Sequence, residues 1–249
     1  MKLMTLIRKE CIEDIFSSRG AALYLVGCGV LSVFSLLLVS NTELSLLDNA
    51  QAVYMMAGII MSLALLISVI RGSDGFAGER DRETLELLLI TPVSAVDIGI
   101  AKLMGTFVSW LIIFLLSIPY LWAVGSTGQN LWPAFIYIFI AGSFLVLIFG
   151  GFMLGLSARM KTFKEVLSIG LTLFLLSASP VILGPSLRQS GIGRLIDHVN
   201  PFGSALNMID SVVVDSQNIS FQLPHLATLT ICTIFALCFL YATTRRVEL

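Results

Sequence analysis

Charge is what this sequence has least of. Asp, Glu, Lys and Arg make up 12% of its 249 residues, while 57% are hydrophobic. Soluble domains carry about 25% charged residues, so half the usual supply is left to cover a surface. That excludes an ordinary soluble globular protein, and equally a disordered chain, which needs the opposite composition. No sign predominates either: a net charge of -1 offers nothing to draw in nucleic acid. Cysteine is scarce, and Cys11, Cys28, Cys232 and Cys238 show no zinc or redox spacing. Three of them fall in apolar stretches, where a free thiol acts as a small hydrophobe, so no metal site is expected. A G-x-x-x-x-G-K-[ST] phosphate cradle is absent as well. The chain is therefore not expected to be an enzyme or to hold a cofactor, and any energy it uses comes from another polypeptide.

What the chain has instead is length without charge. A helix needs about 20 apolar residues to cross a hydrocarbon core of ~30 Å. Six uncharged stretches meet that need: Ala21 to Val39, Ala50 to Ile70, Leu103 to Val124, Leu131 to Ala158, Val166 to Leu187 and Leu226 to Thr244. The expectation is an all-α polytopic membrane protein, one domain over 1–249 with six transmembrane helices. Of the 15 basic residues, 13 precede the first stretch, follow the last, or lie between stretches two and three or four and five. Basic residues stay cytoplasmic in short loops, so both termini are expected in the cytoplasm. None of the six stretches contains Asp, Glu, Lys, Arg or His. Ionisable groups at depth mark proton relays and intramembrane catalysis, so a secondary transporter or membrane-embedded enzyme is disfavoured.

Residues 1–20 do not read as a cleavable signal, because Glu10, Glu13 and Asp14 would fall in the basic region. They fit an amphipathic helix in the cytoplasmic interface, with a solvated leader as the bland alternative. Met55, Met56 and Met61 cluster in stretch two but share no helical face, so packing is favoured over a copper path. Gly151 and Gly155 form G-x-x-x-G, a seam for close helix packing within one protomer or between two in a dimer. Pro119 and Pro180 are expected to be structural, kinking their helices or leaving carbonyls unpaired.

The most informative segment joins stretches two and three, residues 71–102. Gly72, Gly75 and Gly78 predict a pliable entry, and Asp81 to Ile90 has helix-forming composition. Pro92 disfavours helix at Thr91. Leu85, Leu88 and Leu89 share one face at i, i+3 and i+4. Beside them, Glu79 to Glu86 holds four acids and two arginines. Glu79 and Glu83 repel mildly, and Glu79 and Arg82 can pair. A leucine ridge beside an acidic face suits a groove on a partner. A helix lying on the membrane fits less well, because anionic headgroups would repel the acids. Ser94 and Asp97 then have the spacing of a capping box that restarts helix into stretch three.

The run Gly78-Glu-Arg-Asp-Arg-Glu-Thr-Leu-Glu-Leu-Leu-Leu-Ile-Thr-Pro92, with Lys102 after it, resembles the coupling-helix motif of the ABC-2 family of transporter permeases. Glu83 stands where that motif usually has Gly. Arg8-Lys9-Glu10 before stretch one, the six stretches, and Asn200-Pro201-Phe202 in a long outer loop (186–224) are similar too. The resemblance implies an exporter permease in the bacterial inner membrane, pairing with a second permease subunit, identical or closely paralogous. It implies a cytoplasmic ATP-binding cassette subunit holding ATP and magnesium, met by Glu79, Arg82, Glu83, Leu85, Glu86, Leu88 and Leu89. A membrane scaffold or sensor that recruits such a partner and moves nothing is the alternative. In the outer loop, family likeness implies short helices dipping toward the membrane, and Asn218-Ile-Ser220 matches a glycosylation sequon.

Overall fold

Seven prolines in the whole chain leave long apolar runs free to close their own hydrogen bonds, and in lipid the helix is the form that closes all of them within one segment. The computed structural model describes residues 2–40, 49–85, 93–126, 128, 130–182, 199–216 and 219–246, and every regular element among them is helical. In order these are α1 (Lys2–Phe16), α2 (Ser18–Ser40), α3 (Asn49–Ser73), a π turn (Asp74–Gly78) and α4 (Glu79–Asp81). Next come α5 (Ala95–Gly125), α6 (Leu131–Arg159), α7 (Phe163–Ile182), α8 (Pro201–Val213), a 3-10 turn (Ile219–Gln222) and α9 (Leu223–Thr244).

Five described stretches are long and apolar enough to cross a membrane: Gly20–Ser40, Asn49–Asp81, Ala95–Gly125, Leu131–Arg159 and Leu223–Thr244. The expected stretch Val166 to Leu187 begins as α7, 20 residues ending at Ile182, and its remainder lies outside the described residues. Leu25, Leu36, Ile231 and Phe235 are 66–73% exposed. Large apolar side chains held outward on long helices are what a hydrocarbon solvent selects.

The N-terminal helix forms as expected, over Lys2–Phe16. Ser17 ends it: its Oγ accepts from the Gly20 amide at 2.9 Å and its carbonyl from Ala21 at 2.9 Å, so it caps α2. α6 is the central helix, packed on α3, α5, α8 and α9. Trp110 of α5 is fully buried against it. Gly142 makes room for that ring, since a Cβ there would lie 2.2 Å from Trp110 Cζ2. Gly151 and Gly155 face α9 of the same chain. A Cβ on Gly155 would come within 2.7 Å of Phe239 Cδ1, and one on Gly151 lies 3.7 Å from Ala236. The G-x-x-x-G seam is thus filled from within the protomer. Met56 and Met61 are buried in the core, whereas Met55 is 45% exposed. α5 runs on through Pro119.

Residues 199–216 hold a packed helix. The Asn200 Oδ1 accepts from the Phe202 and Gly203 amides at 3.0 and 3.4 Å, and its Nδ2 donates to the Ser177 carbonyl at 2.7 Å. Phe202, Ala205, Leu206, Met208 and Ile209 then bury one face against α3, α6 and α7. Thirteen residues rise about 20 Å, too short to cross. Asn218 of the sequon lies outside the described residues.

Candidate functional site

The 33 helical residues Asn49–Asp81 extend about 50 Å at 1.5 Å per residue, some 20 Å more than a hydrocarbon core. The 31 residues of α5 likewise outrun it by about 15 Å. The uncharged parts, 50–70 and 103–124, take the lipid, and the charged overhang projects. Residues 71–85 and 93–102 are its described part.

Its entry is tightly packed, which corrects the expectation of a pliable one. Gly72 and Gly75 are buried with ordinary negative φ. A Cβ on Gly72 would meet Met153 Cβ at 2.6 Å, and one on Gly75 would meet Leu154 Cδ2 at 2.3 Å. These glycines serve close approach to α6. At that contact the Ser157 hydroxyl of α6 accepts from the Phe76 and Ala77 amides at 2.8 and 2.7 Å and donates to the Ser73 carbonyl at 3.2 Å. A hydroxyl inserted into the helical ladder widens it locally, and the widened turn is the π turn Asp74–Gly78.

The helix expected over Asp81 to Ile90 is interrupted at its start. α4 ends at Asp81, Arg82 and Glu83 turn, and residues 86–90 of the expected helix lie outside the described residues. Glu83 sits at φ 59°, left-handed backbone that costs an L residue about 1–2 kcal/mol. This is the position where the resembling motif has Gly, and the conformation supplies the physical reason. Thr84 closes the turn, its amide donating to the Glu79 carbonyl at 2.9 Å and its hydroxyl to the Glu79 carboxylate. The turn also redirects the charges. Arg82 pairs with Asp74 through both carboxylate oxygens, at 2.7 and 2.8 Å, in place of the helical Glu79–Arg82 pair.

Glu79 instead meets Lys102 of α5 at 3.2 Å, and Lys102 also meets Glu10 of α1 at 3.4 Å. Lys102 is 8% exposed. Its apolar neighbours gather too: Phe76, Leu85, Ile98 and Ala158 form a small core, with Leu6 of α1 and Val93 against it. All these charged groups lie beyond the uncharged stretches. Burial alone would raise the Glu79 pKa, but Lys102, the Thr84 hydrogen bonds and Arg82 outweigh it and hold the carboxyl below its usual 4.5. Burial would likewise lower Lys102, but Glu10 and Glu79 hold its ammonium above 10.5. Ser94 caps α5, accepting from the Asp97 amide at 3.1 Å, while its hydroxyl donates to Asp97 Oδ2 at 2.7 Å.

Of the expected partner contacts, Arg82 and Glu83 are exposed and Glu79 is half-buried in the Lys102 cluster. Leu85 is only 8% exposed and faces its own bundle. Glu86, Leu88 and Leu89 lie outside the described residues. Among the described residues no group of three His, Cys, Asp or Glu could hold a metal ion. Ser157 and Asp74 were not singled out by sequence. A serine in an apolar run carries no signal, and Asp74 meets Arg82, eight residues on, only because a turn intervenes. Arg80 and Asp81 count among the segment's charges, yet nothing in their spacing indicates that both engage the α6–α7 junction.

The molecule is a multi-pass helical membrane protein whose ionised clusters lie at one projecting end of the bundle. Residues 39–247 match the model of the ABC-2 family transporter proteins, and the chain belongs to that family. It is the membrane component of an ABC transporter. No curated protein matches it significantly.

Proposed function

We propose that the chain is the permease subunit of an ATP-driven exporter, with residues 79–92 seated on a separate cytoplasmic ATP-binding cassette subunit. Six helices cross the bacterial inner membrane with both termini in the cytoplasm, the stretch 166–187 completing the set. Two such subunits, identical or closely related, form the pathway, and ATP and magnesium stay in the ATPase. The observation that supports this best is the overhang: α3–α4 and α5 carry the segment about 12–16 Å past their uncharged parts, where a soluble subunit can reach it. At its tip Arg82 and Glu83 face outward, and Glu86, Leu88 and Leu89 follow directly. Leu85 anchors the segment to its own bundle, and the contact surface is Arg82, Glu83, Glu86, Leu88 and Leu89, with Glu79 behind it. The test is copurification of the full-length permease with its ATPase. Leu88→Glu abolishes the complex while membrane insertion is unchanged, and a Leu88→Glu permease that still copurifies overturns the docking role.

A further inference from the structure

The sequence connects the docking segment to stretch three through Pro92 and Ser94, but a second attachment is visible in the side chains. The end of α3 and α4 is fastened to the junction of α6 and α7 at three points. Ser157 on α6 holds the backbone at Ser73, Phe76 and Ala77. The Arg80 guanidinium donates to the Met160 and Ala158 carbonyls, at the C-terminal end of α6. Asp81 Oδ2 accepts the Phe163 amide, the first of α7, at 2.9 Å. The signs fit the helix termini they touch: a cation on the carbonyl end of α6 and an anion on the amide end of α7. Adjacent residues of opposite charge thereby clamp one inter-helix turn from both sides.

We infer that Ser157, Arg80 and Asp81 are positioning residues for energy coupling: they strap the arm bearing the docking segment to the α6–α7 junction, so that displacement of the segment moves α6 and α7 with it. The inference rests on the docking role proposed above and adds the route the force takes. Three features support a tight coupling. The Ser157 contact is fully buried, so its hydrogen bonds cannot be exchanged for water when load is applied. The glycines at 72 and 75 let the arm pack directly on Met153 and Leu154 of α6, where a Cβ would come within 2.6 and 2.3 Å of those side chains. And α6 packs on α3, α5, α8 and α9, so movement of its end reaches most of the bundle.

The test uses the full-length permease in lipid nanodiscs, with spin labels at Glu83→Cys and Lys164→Cys in a cysteine-free background, and the unlabelled complex with its ATPase. Ser157→Ala and Asp81→Ala each broaden the 83–164 distance distribution of the permease alone. In the complex they leave copurification and the KM for ATP unchanged while kcat falls about tenfold, a conservative figure given that a misplacement of about 1 Å can cost a hundredfold. Ser157→Thr keeps the hydroxyl and restores the wild-type distribution and kcat. Wild-type distances and kcat in both alanine variants overturn the strap. So does a Ser157→Thr variant no better than Ser157→Ala, because the hydroxyl is then not the holding group. If Ser157→Ala fails to fold, Asp81→Ala, at an exposed residue, decides alone. A wild-type permease that copurifies with no ATPase sinks the docking role instead, and the distance measurement, which needs no ATPase, still decides the strap.

Discussion

Replacing Lys102 by Met removes the cation that Glu10 and Glu79 share. At 3.2 and 3.4 Å, each pair has about 5 kcal/mol of bare Coulomb attraction at an effective dielectric of ~20. Desolvation of the three groups cancels most of that, and breaking a buried pair from one side costs about 3–5 kcal/mol. Glu10 and Glu79 keep 14% and 21% exposure, so the lower end, about 3 kcal/mol, is expected. For a chain of this size that is a fall of roughly 6–12 °C in Tm, read by tryptophan fluorescence on heating in detergent. The pH dependence identifies the cause. In the wild type the lowered Glu79 pKa contributes stability that is present above 4.5 and lost only as pH falls through the lowered value. The wild type is thus little affected between about pH 7.5 and 5. In Lys102→Met the largest influence lowering the Glu79 carboxyl is gone, while burial raises it and only Thr84 and Arg82 still oppose, so its pKa rises from the wild-type value toward that window. Its defect should therefore shrink at about pH 5. A defect of equal or larger size at pH 5 refutes an ion-pair origin and leaves only lost packing.

Other substitutions probe single local features. Glu83→Gly relieves the left-handed backbone and should stabilise the turn by about 0.5–1 kcal/mol after the added chain entropy of Gly, seen as slower amide exchange at residues 83–85. Gly155→Val pushes a side chain into Phe239 and Thr243 across the α6–α9 seam and should cost about 1–3 kcal/mol, measured as a lower midpoint of thermal unfolding. Asn200→Ala removes the α8 cap and its tie to Ser177 and should cost about 1–2 kcal/mol, with faster proteolysis within residues 199–216 as the readout.

Much of the bundle was legible because one solvent sets one rule. In hydrocarbon a backbone must satisfy itself, so uncharged length alone marked the five described crossing stretches, and the spacing of Ser94 and Asp97 marked the start of α5. The pattern was silent on how α3 continues past its uncharged part, since the π turn and α4 run on through charged residues that a hydropathy window discounts. It was silent too on the short α8, whose length cannot cross and whose burial depends on neighbours from α3, α6 and α7.

At the projecting end, local spacing read Asp81 to Ile90 as helix and Glu79 as a partner for Arg82. The fold ended the helix at Asp81 and put a left-handed residue, Glu83, just past Arg82, and the ion pairs differ accordingly. The sequence by itself determined that this chain lives in a membrane, is helical, and keeps its charge out of the long apolar stretches, because those properties follow from how each residue type partitions between lipid and water. Tertiary structure alone decided which charge meets which, that Leu85 turns inward, that Gly155 packs on α9, and that Ser157 holds a π turn from another helix. Those outcomes depend on contacts between residues far apart in the chain, about 80 positions in the case of Ser157 and Ala77, and no local pattern encodes them.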